Sequence, residues 1–111
     1  MNCMEFVEIL MSISKNILII PAHYFTPWFG VLGFKSGFNS IEECFQEKSK
    51  HIYALETGLS SDPSMAFRIS KLDKYTLVSF SDSHTSNPLR LGREFTVLKL
   101  IKFHLKKFMK L

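Results

Sequence analysis

The sequence predicts an α/β fold: a small parallel sheet of three or four strands with flanking helices. Segments with apolar residues at helical spacing alternate with short apolar runs typical of buried strands. The connections are long enough for the crossovers that parallel strands require. The chain has 111 residues, enough for one domain, and its composition of 46% hydrophobic and 22% charged residues excludes a disordered tail.

Three helices are predicted in the body of the chain. Apolar residues at helical spacing predict the first helix over residues 4–13. A capping-box pattern that begins at Ser40 predicts a second helix through about Lys48. Asp62, an N-cap followed directly by a proline, predicts a third helix that extends to about Lys74.

Three short strands are predicted between these helices, over residues 17–20, 52–56 and 76–80. The first is an unbroken apolar run closed by a proline, a pattern typical of a strand buried on both faces. Residues 25–39 combine aromatic side chains with glycines and predict a loop that has its own apolar anchors.

Each predicted strand has a side chain able to bind a metal or move a proton at or just past its C-terminal end. These side chains are His23, Glu56, Asp82 and His84. Ligands of parallel α/β sheets gather at this edge, and imidazole and carboxylate groups suit Zn²⁺ or Mn²⁺. Ordinary roles stay open for each: a loop histidine, an ion-paired glutamate, or an Asx turn after the third strand.

Other catalytic patterns are weaker. Ser60, His23 and Asp82 are the residue types of a nucleophilic triad, but the sequence has no Gly-x-Ser-x-Gly elbow. The glycines of the 25–39 loop are spaced wrongly for a phosphate-binding loop. Asp62 has a sufficient role as a helix N-cap, and Cys44 is expected to be a small buried apolar residue.

The basic residues are concentrated in the tail. The net charge is +4, yet residues 1–98 contain nine basic and ten acidic residues. An amphipathic helix is predicted from Glu94 onward, with Lys102, Lys106 and Lys110 on one exposed face. The N-terminus lacks the pattern of a signal peptide or membrane span, and two widely separated cysteines indicate no disulfide framework. We therefore expect a cytoplasmic protein.

Several segments together resemble a known family. They are Pro21-Ala22-His23-Tyr24-Phe25-Thr26-Pro27-Trp28-Phe29-Gly30, Glu56-Thr57-Gly58-Leu59-Ser60-Ser61-Asp62-Pro63, Ser81-Asp82-Ser83-His84 and Leu91-Gly92-Arg93-Glu94. This series is similar to the PHP (polymerase and histidinol phosphatase) superfamily and, within it, to the endonuclease Q group. The resemblance covers roughly residues 4–97, and its first segment is the most specific one.

The resemblance implies a distorted (β/α) barrel with a metal cluster, commonly zinc, at the C-terminal strand ends. It implies a DNA repair endonuclease that acts on deaminated bases, with DNA as the partner and zinc, or else manganese or magnesium, as the cofactor. Carried over by position, His23, Asp82 and His84 match metal ligands. Asp82 and Glu56 are the expected catalytic residues.

The sequence departs from the family at both ends. It contains no His-x-His pair, with which the first barrel strand of the family begins, and the likeness ends near Leu98. We therefore expect residues 1–98 to form a partial PHP-like barrel and residues 99–111 to form a basic amphipathic tail. The expected protein is a truncated homologue, inactive by itself unless a partner chain completes the barrel. The alternative is a non-enzymatic protein that binds nucleic acid or a partner through the basic C-terminal helix.

Overall fold

The computed structural model describes residues 1–99. The elements, in chain order, are helices α1 (Cys3–Ile13) and α2 (Ile41–Phe45), strand β1 (Ala54–Glu56), helix α3 (Pro63–Ala66) and strand β2 (Thr76–Val78). Short 3₁₀ segments, Gln46–His51 and Ser70–Leu72, follow α2 and α3. Within residues 1–99 no helix is long and apolar enough to cross a membrane.

The sheet is parallel, as predicted, but smaller. Strands β1 and β2 pair in parallel with Leu55 opposite Leu77. A single parallel bridge between Ile19 and Ile52 attaches the first extended segment, residues 17–20, on the other side of β1. Among the described residues the sheet therefore has two strands and one bridge, and a partial barrel stays a prediction.

The prediction that residues 17–20 form a strand buried on both faces is wrong. Its residues are half-buried, and only Ile19 is bridged to a neighbour. The apolar run indicates burial on both faces, but among residues 1–99 the chain covers this segment only partly. The segment forms one bridge to its neighbour, but it is not a regular strand buried on both faces.

The first helix is confirmed to within one residue, whereas the second and third helices begin where predicted but end earlier. Ser40 accepts a hydrogen bond from the Glu43 backbone N–H, and Asp62 accepts one from that of Met65. After Phe45 the backbone of Gln46 turns to φ 46°, so the α-helix stops well before residue 48. The third helix gives way to a 3₁₀ turn because the backbone becomes extended at residue 69.

The segment that follows β2 is not helical up to residue 99. The Thr96 side chain bonds both the N–H and the C=O of Ser79, and Glu94 accepts a hydrogen bond from the Ser79 hydroxyl. These bonds hold residues 94–96 alongside the continuation of β2, where a helix was predicted. The predicted lysine stripe of Lys102, Lys106 and Lys110 lies outside the described residues.

The core lies between the helices and the sheet. Its fully buried side chains are Val7, Tyr24, Ile41 and Leu55. Cys44 is buried among them as predicted, and this burial, with a smaller contribution from the neighbouring Cys3 thiol, raises its pKa to about 12. Side chains of α1, α2 and β1 therefore share one core.

An ion-pair network ties α2 to the start of β2. The Glu42 carboxylate accepts a hydrogen bond from the Tyr75 hydroxyl at 2.9 Å and pairs with Lys74 at 2.5 Å. The hydrogen bond from Lys74 is the main reason that the pKa of Glu42 falls from 4.5 to about 2. A lowered carboxylate pKa stabilises the folded state at any pH above the unfolded-state value.

We expect Glu42→Gln to lower the free energy of unfolding at pH 7 by about 0.5–1 kcal/mol, since solvent screens a side chain that is 41% exposed. The difference from the parent chain should shrink as pH falls from 4.5 to about 2, where the parent carboxylate becomes protonated. Urea denaturation at pH 7 and pH 3 measures it. Glu47→Gln, at a more exposed glutamate, is the control, and an equal loss in both variants at pH 7 would contradict the assignment.

Candidate active site at the strand ends

Glu56 connects the ends of two neighbouring segments. It is the last residue of β1 and is 5% exposed. Its Oε2 accepts the backbone N–H of His23 at 2.5 Å, and its Oε1 accepts the backbone N–H of Phe80 at 3.4 Å. Backbone donors of this kind stabilise a buried carboxylate that would otherwise be costly to desolvate. The carboxylate therefore fixes the chain just after the first extended segment and just after β2.

His23 sits in an unusual backbone conformation at this edge. Its φ is 31°, in the region that side chains with a Cβ rarely adopt. A Cβ added at Gly58 would lie 2.6 Å from the Cβ of His23, so only glycine permits this close approach. The Nδ1 atom of His23 is buried and has no hydrogen-bond partner among the described residues. The group therefore contains a buried ring nitrogen that has no partner within residues 1–99.

Asp82 and His84 form a pair on the loop after β2. The Asp82 carboxylate lies 3.1 Å from Nε2 of His84, and the two side chains are 53% and 83% exposed. Asp82 also has a positive φ, of 45°. Of the three non-glycine residues with positive φ in residues 1–99, two are therefore His23 and Asp82. Strained backbone of this kind is concentrated at functional sites.

Two adjacent pockets join these side chains. His23, Glu56 and Asp82 line a pocket of about 190 Å³. His23 and Asp82 also line a second pocket of about 320 Å³, together with Thr26 and Phe29. Three of the four predicted site residues thus share one edge of the sheet, and His84 lies beside the third of them. The turn after β2 brings the Asp-x-His pair to the same side, which straight extended backbone would not do.

The described residues do not make a complete metal site. Within residues 1–99 no three His, Cys, Asp or Glu side chains lie close enough together to hold a metal ion. Asp82 and His84 form a pair, and the unpartnered nitrogen of His23 is a third donor that does not converge with them. Catalytic zinc sites use three protein ligands and an open position. The metal roles of His23, Asp82 and His84 stay predictions.

The geometry also bears on the other roles considered from sequence. Ser60 shares the larger pocket with His23 and Asp82, but its hydroxyl lies 3.1 Å from that of Thr26. Both carboxylate oxygens of Glu56 are engaged by backbone amides, and its catalytic role stays a prediction. Sequence reasoning missed the pocket residues Thr26 and Phe29, although both lie in the segment just after His23.

The fold and this edge define a class of arrangement: parallel α/β structure that collects imidazole, carboxylate and hydroxyl groups where its strands end. Enzymes of parallel α/β architecture bind and convert their substrates at such edges. No model of a protein family matches the chain. Individual proteins and solved structures are similar to it, as follows.

Two curated relatives match part of the chain. The uncharacterized protein MJ0043 of Methanocaldococcus jannaschii is 41% identical over 76 residues, which are 68% of this chain and 9% of that protein. The uncharacterized protein YqxK of Bacillus subtilis is 40% identical over 81 residues, 73% of this chain and 20% of that protein. The chain thus spans a fifth or less of the relatives it matches.

Solved structures of endonuclease Q are similar to almost the whole chain. The lesion-specific endonuclease PfuEndoQ of Pyrococcus furiosus superposes with a TM-score of 0.78 and 34% identity over 99% of this chain. An endonuclease Q bound to a 27-mer duplex, with an abasic lesion at its active site, gives a TM-score of 0.77 and 33% identity over the same share. In each case this chain covers 26% of the solved protein.

Proposed function

We propose that this chain forms one wall of the active site of an endonuclease Q-like, PHP-type DNA repair nuclease that acts on deaminated bases. The observation that carries the proposal is the superposition of 99% of the chain on a lesion-specific endonuclease at 34% identity. The strand-end placement of His23, Glu56 and Asp82 supports it, because this is the edge where such folds do their chemistry.

The roles proposed for the side chains follow their surroundings. Asp82 and His84, which are exposed and paired, are proposed to contact a metal ion or a phosphodiester, and the unpartnered Nδ1 of His23 is the further nitrogen proposed for the site. Zinc, or else manganese or magnesium, is the proposed cofactor, because imidazole and carboxylate together suit these ions. The metal would help hydrolysis by polarising a phosphoryl oxygen and activating water.

The remaining ligands of such a site would come from elsewhere. Because no three donors converge within residues 1–99, we propose that a further polypeptide segment or a partner chain completes the site. The 111-residue chain by itself is therefore expected to incise no inosine-containing DNA above background, with or without Zn²⁺, Mn²⁺ or Mg²⁺. Metal-dependent nicking by the purified chain that is lost in His84→Ala would contradict this expectation.

A chimera tests the proposed function directly. Residues 1–99 of this chain would replace the segment of PfuEndoQ on which they superpose, and incision of an inosine-containing duplex would be measured. We expect lesion-dependent incision by the chimera. A chimera that folds, judged by circular dichroism, and binds the duplex but never incises it would contradict the proposal. A second chimera receives the parent PfuEndoQ segment through the same junctions, and it shows whether the junctions themselves affect incision.

A further inference from the structure

Three exposed aromatic side chains form a cluster beside the candidate site. Trp28, Phe29 and Phe34 are 54%, 74% and 85% exposed. The rings of Trp28 and Phe34 meet edge to face at 6.1 Å. Lys35 places its ammonium group 5.4 Å from the Trp28 ring and 5.7 Å from the Phe29 ring. These four residues are called the aromatic cluster below.

The aromatic cluster is built on a well-bonded loop. The Gly30 N–H donates to Thr26 C=O at 2.9 Å, and the Phe34 N–H donates to Pro27 C=O at 2.6 Å. The Ser36 hydroxyl bonds the Gly30 carbonyl at 2.7 Å. The rings are therefore carried by a loop whose backbone is held by its own hydrogen bonds. Adjacent exposed rings of this kind mark interaction surfaces, unlike single exposed apolar residues.

Charge and position favour a nucleic-acid strand as the occupant. Among residues 1–99 no carboxylate lies within ion-pair distance of Lys35, so its ammonium group can meet a phosphate. Phe29 lines the same pocket as His23 and Asp82, which makes the aromatic cluster continuous with the candidate site. Flat rings next to a cation match a polyanion that carries π faces, as in proteins that bind single strands.

We propose that the aromatic cluster is a stacking platform for unpaired nucleobases of a DNA strand, with Lys35 bound to an adjacent phosphate. This inference rests on the proposed function, because it places that strand next to Asp82. Bases inside a duplex hide their faces in the stack, so only unpaired or extruded bases can use the platform. Stacking tolerates any base, since every base has a π face.

Trp28 supplies a local reporter, because it is the only tryptophan in the sequence. The 111-residue chain would be titrated with a ten-nucleotide thymidylate strand and with a strand of ten abasic sugar-phosphate units. Contacts of basic residues with phosphate are common to both strands, whereas only thymidylate offers bases. We expect thymidylate to quench Trp28 fluorescence and the abasic strand to leave it nearly unchanged.

Variants of the aromatic cluster separate stacking from charge. Phe34→Ser should weaken binding of thymidylate about tenfold, the effect typical of losing one stacking ring. Lys35→Gln should lower the slope of log affinity against log salt by about one, as expected for one phosphate contact. Phe67→Ser and Lys71→Gln, at exposed positions away from the aromatic cluster, are the matched controls and should leave both quantities unchanged.

Several outcomes would overturn the proposal. Equal quenching by the two strands would assign the signal to phosphate contacts alone. No quenching by either strand, or a molecular mass that rises with concentration and falls in Phe34→Ser, would assign the surface to another role or to self-association. These readouts need no incision. An inactive chimera would therefore count against the proposed function and leave the stacking result intact, and the reverse also holds.

Discussion

Asp82→Asn in the chimera is expected to lower lesion-dependent incision by more than about a hundredfold, since even outer-shell partners of metal ligands change activity by roughly 10- to 100-fold when replaced. The carboxylate lines both pockets at the strand ends and is paired with His84. Asparagine keeps the shape of the side chain and tolerates the positive φ of 45° at this position, so the change removes the charge with little backbone strain.

Single-turnover incision of an inosine-containing duplex measures this effect, with duplex binding followed in parallel. Asp73→Asn is the matched control, because Asp73 is also exposed but lies at the far end of β2 from the pockets. The control should keep the activity of the parent chimera. An Asp82→Asn chimera that incises within threefold of its parent would remove Asp82 from the candidate active site.

Gly30→Ala is expected to destabilise the 111-residue chain by about 2 kcal/mol or more, at the upper part of the range for overpacked interiors. A Cβ at this position would lie 2.5 Å from the Tyr24 carbonyl oxygen and 2.6 Å from that of His23. Both atoms belong to the backbone, so neither can rotate away. Small domains have only about 5–15 kcal/mol of stability, and the loss should be visible as a clear shift in the urea midpoint.

Gly37→Ala separates crowding from backbone strain. Nothing lies within 4 Å of a Cβ at residue 37, but the backbone has φ 73°, so alanine there meets only the left-handed penalty of about 1–2 kcal/mol. Gly30→Ala should cost more than this control and should also change the environment of His23. Equal midpoints for the two variants would show that the loop relaxes around residue 30.

For the second and third helices, local signals in the sequence predict the start better than the end. The caps at Ser40 and Asp62 depend on one side chain and a nearby N–H, which sequence spacing reveals directly. The end of α2 depends on the positive φ of Gln46, and a glutamine in the sequence does not indicate a positive φ. Likewise, the non-helical course of residues 94–96 depends on hydrogen bonds to Ser79, a residue distant in sequence.

The candidate site was predictable in outline because the ends of parallel strands meet at one edge. His23, Glu56 and Asp82 were grouped on that basis, and they share a pocket. The strained backbone at two of these residues and the engagement of the Glu56 carboxylate were not predictable, because they arise from three-dimensional crowding. The sequence of the 25–39 loop predicts apolar anchors, but it does not indicate which of the rings are exposed.

Because Glu56 accepts hydrogen bonds from the backbone of both His23 and Phe80, one carboxylate sets the distance between the two segments that line the candidate site. One oxygen holds the backbone at His23 and the other holds the backbone at Phe80, which leads to Asp82. A shorter or neutral side chain would therefore weaken both attachments together. Substitution of Glu56 would therefore reduce both the stability of the fold and the geometry of the candidate site. Substitution of Asp82, by contrast, would leave the chain folded and alter only the candidate site.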